Sequence, residues 1–485
     1  MTKRPDIVVV ILDSLRASNV SAYGYELETT PFLDSFAADN ILFRRAISPA
    51  TWTVPSHASM LTGLYVSQHR VESLEADRSF NADIVTLPAA LGAQGYRVAA
   101  FSQNMLFSSS NHLDAGFETF TEVDDVFSTT TLRGLARLSE ASTSAVRLPA
   151  RYLRKMIAPR LVFDRAYDWI TAESGETPSF LFVNVLAPHF PWTVPPRELL
   201  RGERVNPKYL ARSEFVTLKR QWDFNAGLRE VTDEHVRVWR SLYDAAVRQA
   251  DREVRRFVER LRRARTWDNT IVVLTSDHGE MLGEGGIVGH VLTLRDKLIQ
   301  VPMIVRHPDH RGGAVVEGVV QTLDLYPSVL DWAGVPGDSV PPAQLQRPPL
   351  SRAIENASDP TGYAFAEEDY TDSYKLIDKL LSVNPGMDPH LYPPAQTCVR
   401  SATHKYVWYA DRPPALFDLV ADPGEEHDRL SDGGDGNDEA IASPLRDALD
   451  AWRTNLEIFP PVSSDDEREM DEDTMKRLRA LGYVP

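Results

Sequence analysis

Five short runs of β-branched and apolar residues, set apart by longer helical stretches, constrain this chain more than any other feature. They are Asp6 to Leu12, Arg97 to Ser102, Ser179 to Leu186, Thr270 to Thr275 and Pro302 to Arg306. Strands spaced in this way follow the βαβ rhythm of a mostly parallel sheet, because each parallel return needs a crossover that is usually a helix. Ahead of the fourth run, Leu242, Ala246, Val254, Val258 and Leu261 recur at helical spacing between charged residues, which predicts a long amphipathic helix over Val236 to Arg265. The fold class that follows is α/β, a large and mostly parallel sheet flanked by helices. From about Tyr374 the pattern changes to a proline-containing loop, a strand over Thr403 to Tyr409 and a helix over Ser443 to Leu456. That predicts a smaller C-terminal α+β subdomain over residues 373–460, after a catalytic domain over residues 1–372. Residues 461–485 read as an acidic connector, Ser464 to Asp473, and a last helical turn ending at Leu481, Gly482 and Tyr483.

In such sheets ligands sit beyond the carboxyl ends of the strands, where loops and helix N-termini supply polar groups. Three polar clusters fall at that edge: Asp13 and Ser14 after the first run, His189 shortly after the third, and Asp277 and His278 after the fourth. A carboxylate and an imidazole adjacent at a strand end make half of a metal site, with Gly279 allowing the turn. Asp13 would bring a second carboxylate.

A fourth element, Thr51 to Gly63, has Pro55 near its start and Gly63 at its end, which predicts a short helix over Pro55 to Thr62. Thr53 then lies at the helix N-terminus, where unpaired amides and the helix dipole favour an anion. His57 can project from the same side. Taken alone, a capping threonine and a surface histidine describe this segment equally well.

Composition narrows the function classes. The formal charge of −17 on 485 residues argues against a nucleic-acid binder, since an acidic surface repels the phosphate backbone. Any anionic substrate must meet a locally positive site. The single cysteine, Cys398, excludes an internal disulfide and a zinc site built on several thiolates. The apolar run Ile7 to Leu12 is too short for a signal-peptide core or a bilayer span, which predicts a cytoplasmic chain without a transmembrane segment. Arginines cluster from Thr131 to Arg165, a pattern that suits a solvated helical face, a lid over the substrate, or peripheral contact with a membrane surface. Oligomeric state stays open.

The motifs, taken in order, resemble one family. Thr53-Val54-Pro55-Ser56-His57 with Leu61-Thr62-Gly63 is similar to the sulfatase signature Cys/Ser-x-Pro-x-Arg and its downstream Leu-x-Thr-Gly. Asp13-Ser14-Leu15-Arg16 resembles the amino-terminal metal motif, and Thr30-Pro31-Phe32-Leu33-Asp34 the Thr-Pro-Asn-Leu-Asp segment. Pro188-His189-Phe190-Pro191-Trp192 resembles the His-x-Pro-Tyr loop, and Asp277-His278-Gly279-Glu280 with Gly289-His290 the second metal and anion-binding stretch. Leu416-Phe417-Asp418-Leu419 and Asp422-Pro423-Gly424-Glu425 resemble the carboxyl-terminal pattern. The resemblance is to the sulfatase-like family of the alkaline phosphatase superfamily. It implies the fold of that group and a metal-dependent ester hydrolase or phosphotransferase, similar to arylsulfatases and to phosphoglycerol and phosphoethanolamine transferases.

The departures from the family pattern carry most about chemistry. Sulfatases oxidise the signature Cys or Ser to formylglycine, and Thr53 cannot take that route, because a secondary alcohol yields no aldehyde. Thr53 is therefore expected to attack as an alkoxide activated by a metal, on a phosphate ester, diesters foremost. By position the resemblance implies Asp13, Thr53, Asp277 and His278 as metal ligands, and Thr53, His57, His189 and His290 as catalytic residues. Ser14 stands where the family has a carboxylate and His278 where it has an asparagine, which shifts preference from calcium toward one manganese or zinc ion, with magnesium or calcium also compatible. The expected partner is an anionic small-molecule, lipid or glycan ester. Two alternatives stay open: a sulfuric ester hydrolase, and a non-catalytic anion-binding member of the fold.

Overall fold

A computed structural model describes residues 3–72, 79–122, 150–172, 177–192, 194, 196–199, 218–290, 292–310, 312–359, 362–368, 371–388, 391–393, 395–431 and 436–460. Its strands, in chain order, are β1 (Asp6–Leu12), β2 (Ile41–Ile47), β3 (Arg97–Ser102), β4 (Thr119–Glu122), β5 (Ser179–Val185), β6 (Thr270–Thr275), β7 (Met281–Leu282), β8 (Val288–Gly289), β9 (Gln300–Arg306), β10 (Ala314–Gln321), β11 (Ala364–Glu368), β12 (Gln396–Arg400), β13 (His404–Tyr409) and β14 (Ala415–Asp418). An eight-stranded sheet runs β10-β2-β9-β6-β1-β5-β3-β4. All five sequence-derived strands lie in it. β9 is antiparallel to both of its neighbours, β2 and β6, while the other pairings are parallel.

Helices cover both faces, which is why β1 and β5 are buried along their whole length and read as continuous apolar runs. One face packs Ile7, Val9 and Ile11 with Val54, Leu61 and Tyr326. The other packs Val8, Val10 and Leu12 with Trp239, Leu242, Tyr243, Val254 and Phe257 of the long helix, Asp233–Leu261. Each such side chain contributes roughly 1.5–3 kcal/mol on full burial, so this two-sided core supplies ample stability to hold polar groups at the sheet edge.

β11 to β14 form a separate antiparallel sheet in that order, covered by the helix Gly436–Asn455 through Leu445 and Leu449 against Val399, Tyr406 and Leu416. Its first strand comes from Ala364–Glu368, ahead of residue 373. Of the arginine-rich stretch, the helix Ala150–Ala172 is described, and it buries Val162, Phe163, Ala166 and Ile170 beside the long helix. Residues 123–149, the Arg-rich stretch up to residue 149, and the acidic tail 461–485 lie outside the described residues. Among the described residues no helix is long and apolar enough to cross a membrane.

Candidate active site

Strand register decides where the polar clusters meet. Ile11 of β1 is level with Asn184 of β5 and Thr275 of β6, and Ser102 of β3 is level with Asn184. The chain leaving each strand therefore emerges at one height, with Asp13, Asn104 and Asp277 within one or two residues of their strand ends. Asp13, Asp277 and His278 are fully buried and offer ligand atoms all within 4.8 Å of one another.

The Asp13 turn is held in an unusual conformation. Ser14 has φ of 63°, a left-handed geometry rare outside glycine, and its amide donates to Asp277 Oδ1 at 3.1 Å. Tyr243 from the long helix fixes the same turn, its hydroxyl donating to the Ser14 carbonyl at 2.6 Å and accepting from the Arg16 amide at 2.9 Å. On the opposite side Gly279 is required by proximity: a Cβ there would lie 2.0 Å from the Lys297 carbonyl oxygen, and its amide bonds to Leu298 O at 2.7 Å. Its φ is not left-handed, so close packing, and not turn geometry, demands the glycine.

The helix carrying Thr53 spans Thr53–Thr62, two residues longer at its start than proline placement predicts, with Trp52 as N-cap and Gly63 closing it at φ of 70°. Thr53 is thus the first helical residue, and first-turn amides have no partner within the helix. Its Oγ1 accepts a hydrogen bond from Asn104 Nδ2 at 3.1 Å, and the same nitrogen donates to Asp13 Oδ2 at 2.6 Å. The nucleophile candidate and the aspartate cluster are therefore brought together through one amide.

The four histidines take distinct places. His57 is fully buried, stacked on Phe107 at 4.6 Å and edge-on to Phe182. Its Nδ1–H donates to the Thr53 carbonyl at 2.8 Å, so Nε2 accepts from Asn184 Nδ2 at 3.1 Å. It holds the backbone of Thr53, not its hydroxyl. Burial lowers its pKa, against the pull of Asp277 3.7 Å away. His278 donates Nδ1–H to Gly279 O at 2.8 Å, which leaves Nε2 as a lone pair 3.4 Å from Asp277 Oδ2 and 3.9 Å from Asp13 Oδ1. His290 stacks on His278 with ring centroids 4.7 Å apart and is paired through Nδ1 to Glu280 Oε1 at 3.1 Å. His189 lies 4.8 Å from His290, ring to ring, and bonds Phe190 O through Nδ1. Burial pushes His290 down to about 4 and His189 down to about 3, so both rest neutral.

These residues fit a cation on two observations. Asp277 Oδ2 and His278 Nε2 are buried acceptors with no hydrogen-bond partner, an arrangement that costs about 1–3 kcal/mol per group unless something positive satisfies it. Burial and the neighbouring Asp277 push the Asp13 carboxyl well above its usual range. Burial would raise Asp277 too, but the imidazoles of His278 and His57 and the amides of Ser14 and His278 outweigh it and hold it below its usual value. Two carboxylates at this spacing strain against one another without a counter-charge.

The sequence profile of the sulfatase family matches residues 5–335. The chain belongs to the sulfatase family. Among the curated relatives of this sulfatase-family chain is PehA of Trinickia caryophylli, described as a multifunctional alkaline phosphatase superfamily protein. It is 24% identical over 513 aligned residues, covering 93% of this chain and 95% of that protein. Arylsulfatase K of Bos taurus is 22% identical over 507 residues, covering 99% and 86%. Among solved structures, the phosphonate monoester hydrolase of Agrobacterium radiobacter shares the fold, with TM-score 0.71 and 22% identity over 93% of this chain and 96% of that one. The protein is accordingly an enzyme, a hydrolase of the sulfatase family within the alkaline phosphatase superfamily, a group that works with metal ions.

Two site residues of this sulfatase-family chain carry no motif in the sequence. Asn104 lies two residues past β3, at the same sheet edge that singled out Asp13 and Asp277, so the edge argument applied to β3 would have found it. Asn184 is the one polar side chain between the buried apolar residues Leu181 to Val185 of β5, and a lone amide in a core strand is itself a signal.

Proposed function

We propose that this enzyme cleaves phosphate esters, diesters foremost, by passing the phosphoryl group through Thr53 to water or an acceptor alcohol. The observation that carries the reading is the hydroxyl of Thr53 at a helix N-terminus, hydrogen-bonded to the amide that also holds Asp13. A hydroxyl that cannot become an aldehyde must work as an oxygen nucleophile, and such chemistry suits phosphorus.

Asp13, Asp277, His278 and Thr53 Oγ1 would hold one divalent ion, manganese or zinc by the mix of two carboxylates and an imidazole, which when bound lowers the pKa of the hydroxyl and offsets charge on the ester. Thr53 Oγ1 attacks phosphorus, the threonine–phosphorus bond forms, and the bond to the leaving oxygen breaks. Asn104 Nδ2 donates to the attacking oxygen as its negative charge develops, and the first-turn amides of the helix face the equatorial oxygens. The proton released by Thr53 passes to His290 Nε2, whose other nitrogen is steadied by Glu280, and from there to the leaving oxygen. His189, beside His290, contacts the anion. Water or an alcohol then attacks phosphorus, its proton passing to His290 Nε2 and from there to Thr53 Oγ1 as the bond to Thr53 breaks. His57 keeps the first helical turn in place through the Thr53 carbonyl.

Two relatives' descriptions support phosphorus chemistry, those of PehA and of the phosphonate monoester hydrolase. The second reading, a sulfuric ester hydrolase, is favoured by the arylsulfatase K relatives. The substrate is an anionic ester of a small molecule, lipid or glycan. Assay of an aryl phosphodiester, an aryl phosphate and an aryl sulfate with added manganese separates the readings. Turnover is expected to be fastest on the diester, with acid-quenched protein carrying the phosphoryl group on Thr53. Predominant turnover of the sulfate would replace the phosphorus reading with the second one.

A further inference from the structure

The loop of the candidate nucleophile and the loop of His290 are tied to the same buried carboxylate, one that lies outside every motif described above. Glu368, at the end of β11, is fully buried. Its Oε2 accepts from the Thr51 hydroxyl, two residues before Thr53. Its Oε1 accepts from the Leu292 amide at 3.2 Å, two residues after His290, and from the Ser373 hydroxyl at 2.8 Å. Leu292 has φ of 65°, a left-handed geometry that a branched side chain adopts only under constraint, and the Glu368 bond is on that residue's own amide. The strand is pinned at the same point from the other side, where the Glu367 amide donates to Pro49 O at 3.1 Å.

From this geometry we infer that Glu368 is a positioning residue that sets the spacing between Thr53 and His290. It touches neither. It acts through Thr51 on one side and Leu292 on the other, and misplacement of an acid–base group by about 1 Å is enough to cost about 10²-fold in rate. Three donors on one buried carboxyl group make a rigid junction, because an acceptor held from several sides cannot rotate to follow a displaced loop without leaving a buried partner unpaired. The small antiparallel sheet thereby becomes part of the catalytic apparatus of the large one.

The inference rests on the proton-transfer role given to His290 above, and the leaving-group dependence of turnover tests it. Glu368→Leu removes all three acceptor bonds, and Thr51→Val removes the tie to the Thr53 loop alone. Glu367→Gln is the control at the adjacent position, where the carboxylate accepts from the Ser67 amide at 2.9 Å. With Glu368→Leu, kcat on a diester that expels 4-nitrophenolate is expected to fall about tenfold, and on one that expels an alkyl alcohol about 10³-fold. Thr51→Val should lower both about equally, Glu367→Gln should lower thermal stability alone, and Glu368→Gln should recover most of the Glu368→Leu loss. Equal losses on both leaving groups in Glu368→Leu would overturn the inference. A wild type that turns over neither ester defeats the functional reading instead. In that case the ring-nitrogen NMR shifts of His290 decide: movement in Glu368→Leu but not in Glu367→Gln supports the inference, and no movement overturns it.

Discussion

Asn104 Nδ2 lies 3.1 Å from Thr53 Oγ1, and that single amide is the only side-chain hydrogen bond to the hydroxyl among the described residues. Because Asn104 also donates to Asp13 Oδ2 at 2.6 Å, it fixes the hydroxyl's place relative to the aspartate cluster. Asn104→Leu, of similar volume, is expected to lower kcat about 10- to 100-fold while KM changes less than threefold, the signature of a bond that strengthens as charge develops. Steady-state kinetics on the best diester check this, and a rise in KM at constant kcat would place Asn104 in ground-state binding instead.

Thr53→Ala should abolish turnover to at least 10³ below wild type, and Thr53→Ser should keep a measurable fraction, since the hydroxyl survives and only a methyl group is lost. That methyl is buried, so Thr53→Ser should also lower stability by about 1 kcal/mol. Quenched-flow mass spectrometry of the segment around Thr53 reads the covalent intermediate directly. An equally labelled Thr53→Ala protein would move the nucleophile elsewhere.

Asp277 and Asp13 share a fully buried site, and this makes a trade-off measurable. Asp13→Asn removes the charge that burial and the neighbouring Asp277 disfavour, so in chelator the variant is expected to melt higher than wild type, by roughly 2 °C or more. With metal restored the order should reverse, because binding of an ion stabilises the wild type by RT ln(1 + [L]/Kd) and the variant hardly at all. Metal analysis should find one equivalent of the divalent ion in wild type and near none in Asp277→Ala. Equal melting of both proteins in chelator and in metal would show that the cluster holds no ion.

How much of this was legible in the sequence follows from which forces leave a local trace. The five strands declared themselves because burial on both faces demands unbroken apolar runs, and Asp13 and Asp277 stood out because each interrupts such a run at its end. Strand direction left no trace: Pro302 to Arg306 looks like its parallel neighbours, yet β9 runs the other way. The helix start was misplaced because Pro55 sits third and not first, and Trp52, a poor capping residue by type, holds the N-cap. Glu368 was unreadable for a different reason. Its partners Thr51, Leu292 and Ser373 are brought to it only by the docking of one sheet on the other, and nothing in the sequence around it announces that contact.

Acid should destabilise the fold through buried histidines, and His69 isolates the effect away from the aspartate cluster. It is buried, accepts from the Val71 amide at Nδ1 (3.0 Å) and so donates from Nε2 to Ser59 Oγ at 3.0 Å, a neutral ring with both nitrogens committed. Burial pulls its pKa down to about 3 from 6.5. A histidine with a lowered folded pKa takes up its proton in the unfolded chain first, so between those two values the unfolded state binds more protons and stability falls as pH falls. From pH 6.5 to pH 5 the loss through this residue is about 2 kcal/mol. His69→Asn keeps an acceptor near Val71 and removes the titration. Its urea midpoint at pH 7 should lie below that of wild type, yet drop less on moving to pH 5, while the other buried histidines act equally in both proteins and cancel. An identical acid drop in the two proteins would mean that His69 is hydrated or protonated in the fold, against the two bonds that define it.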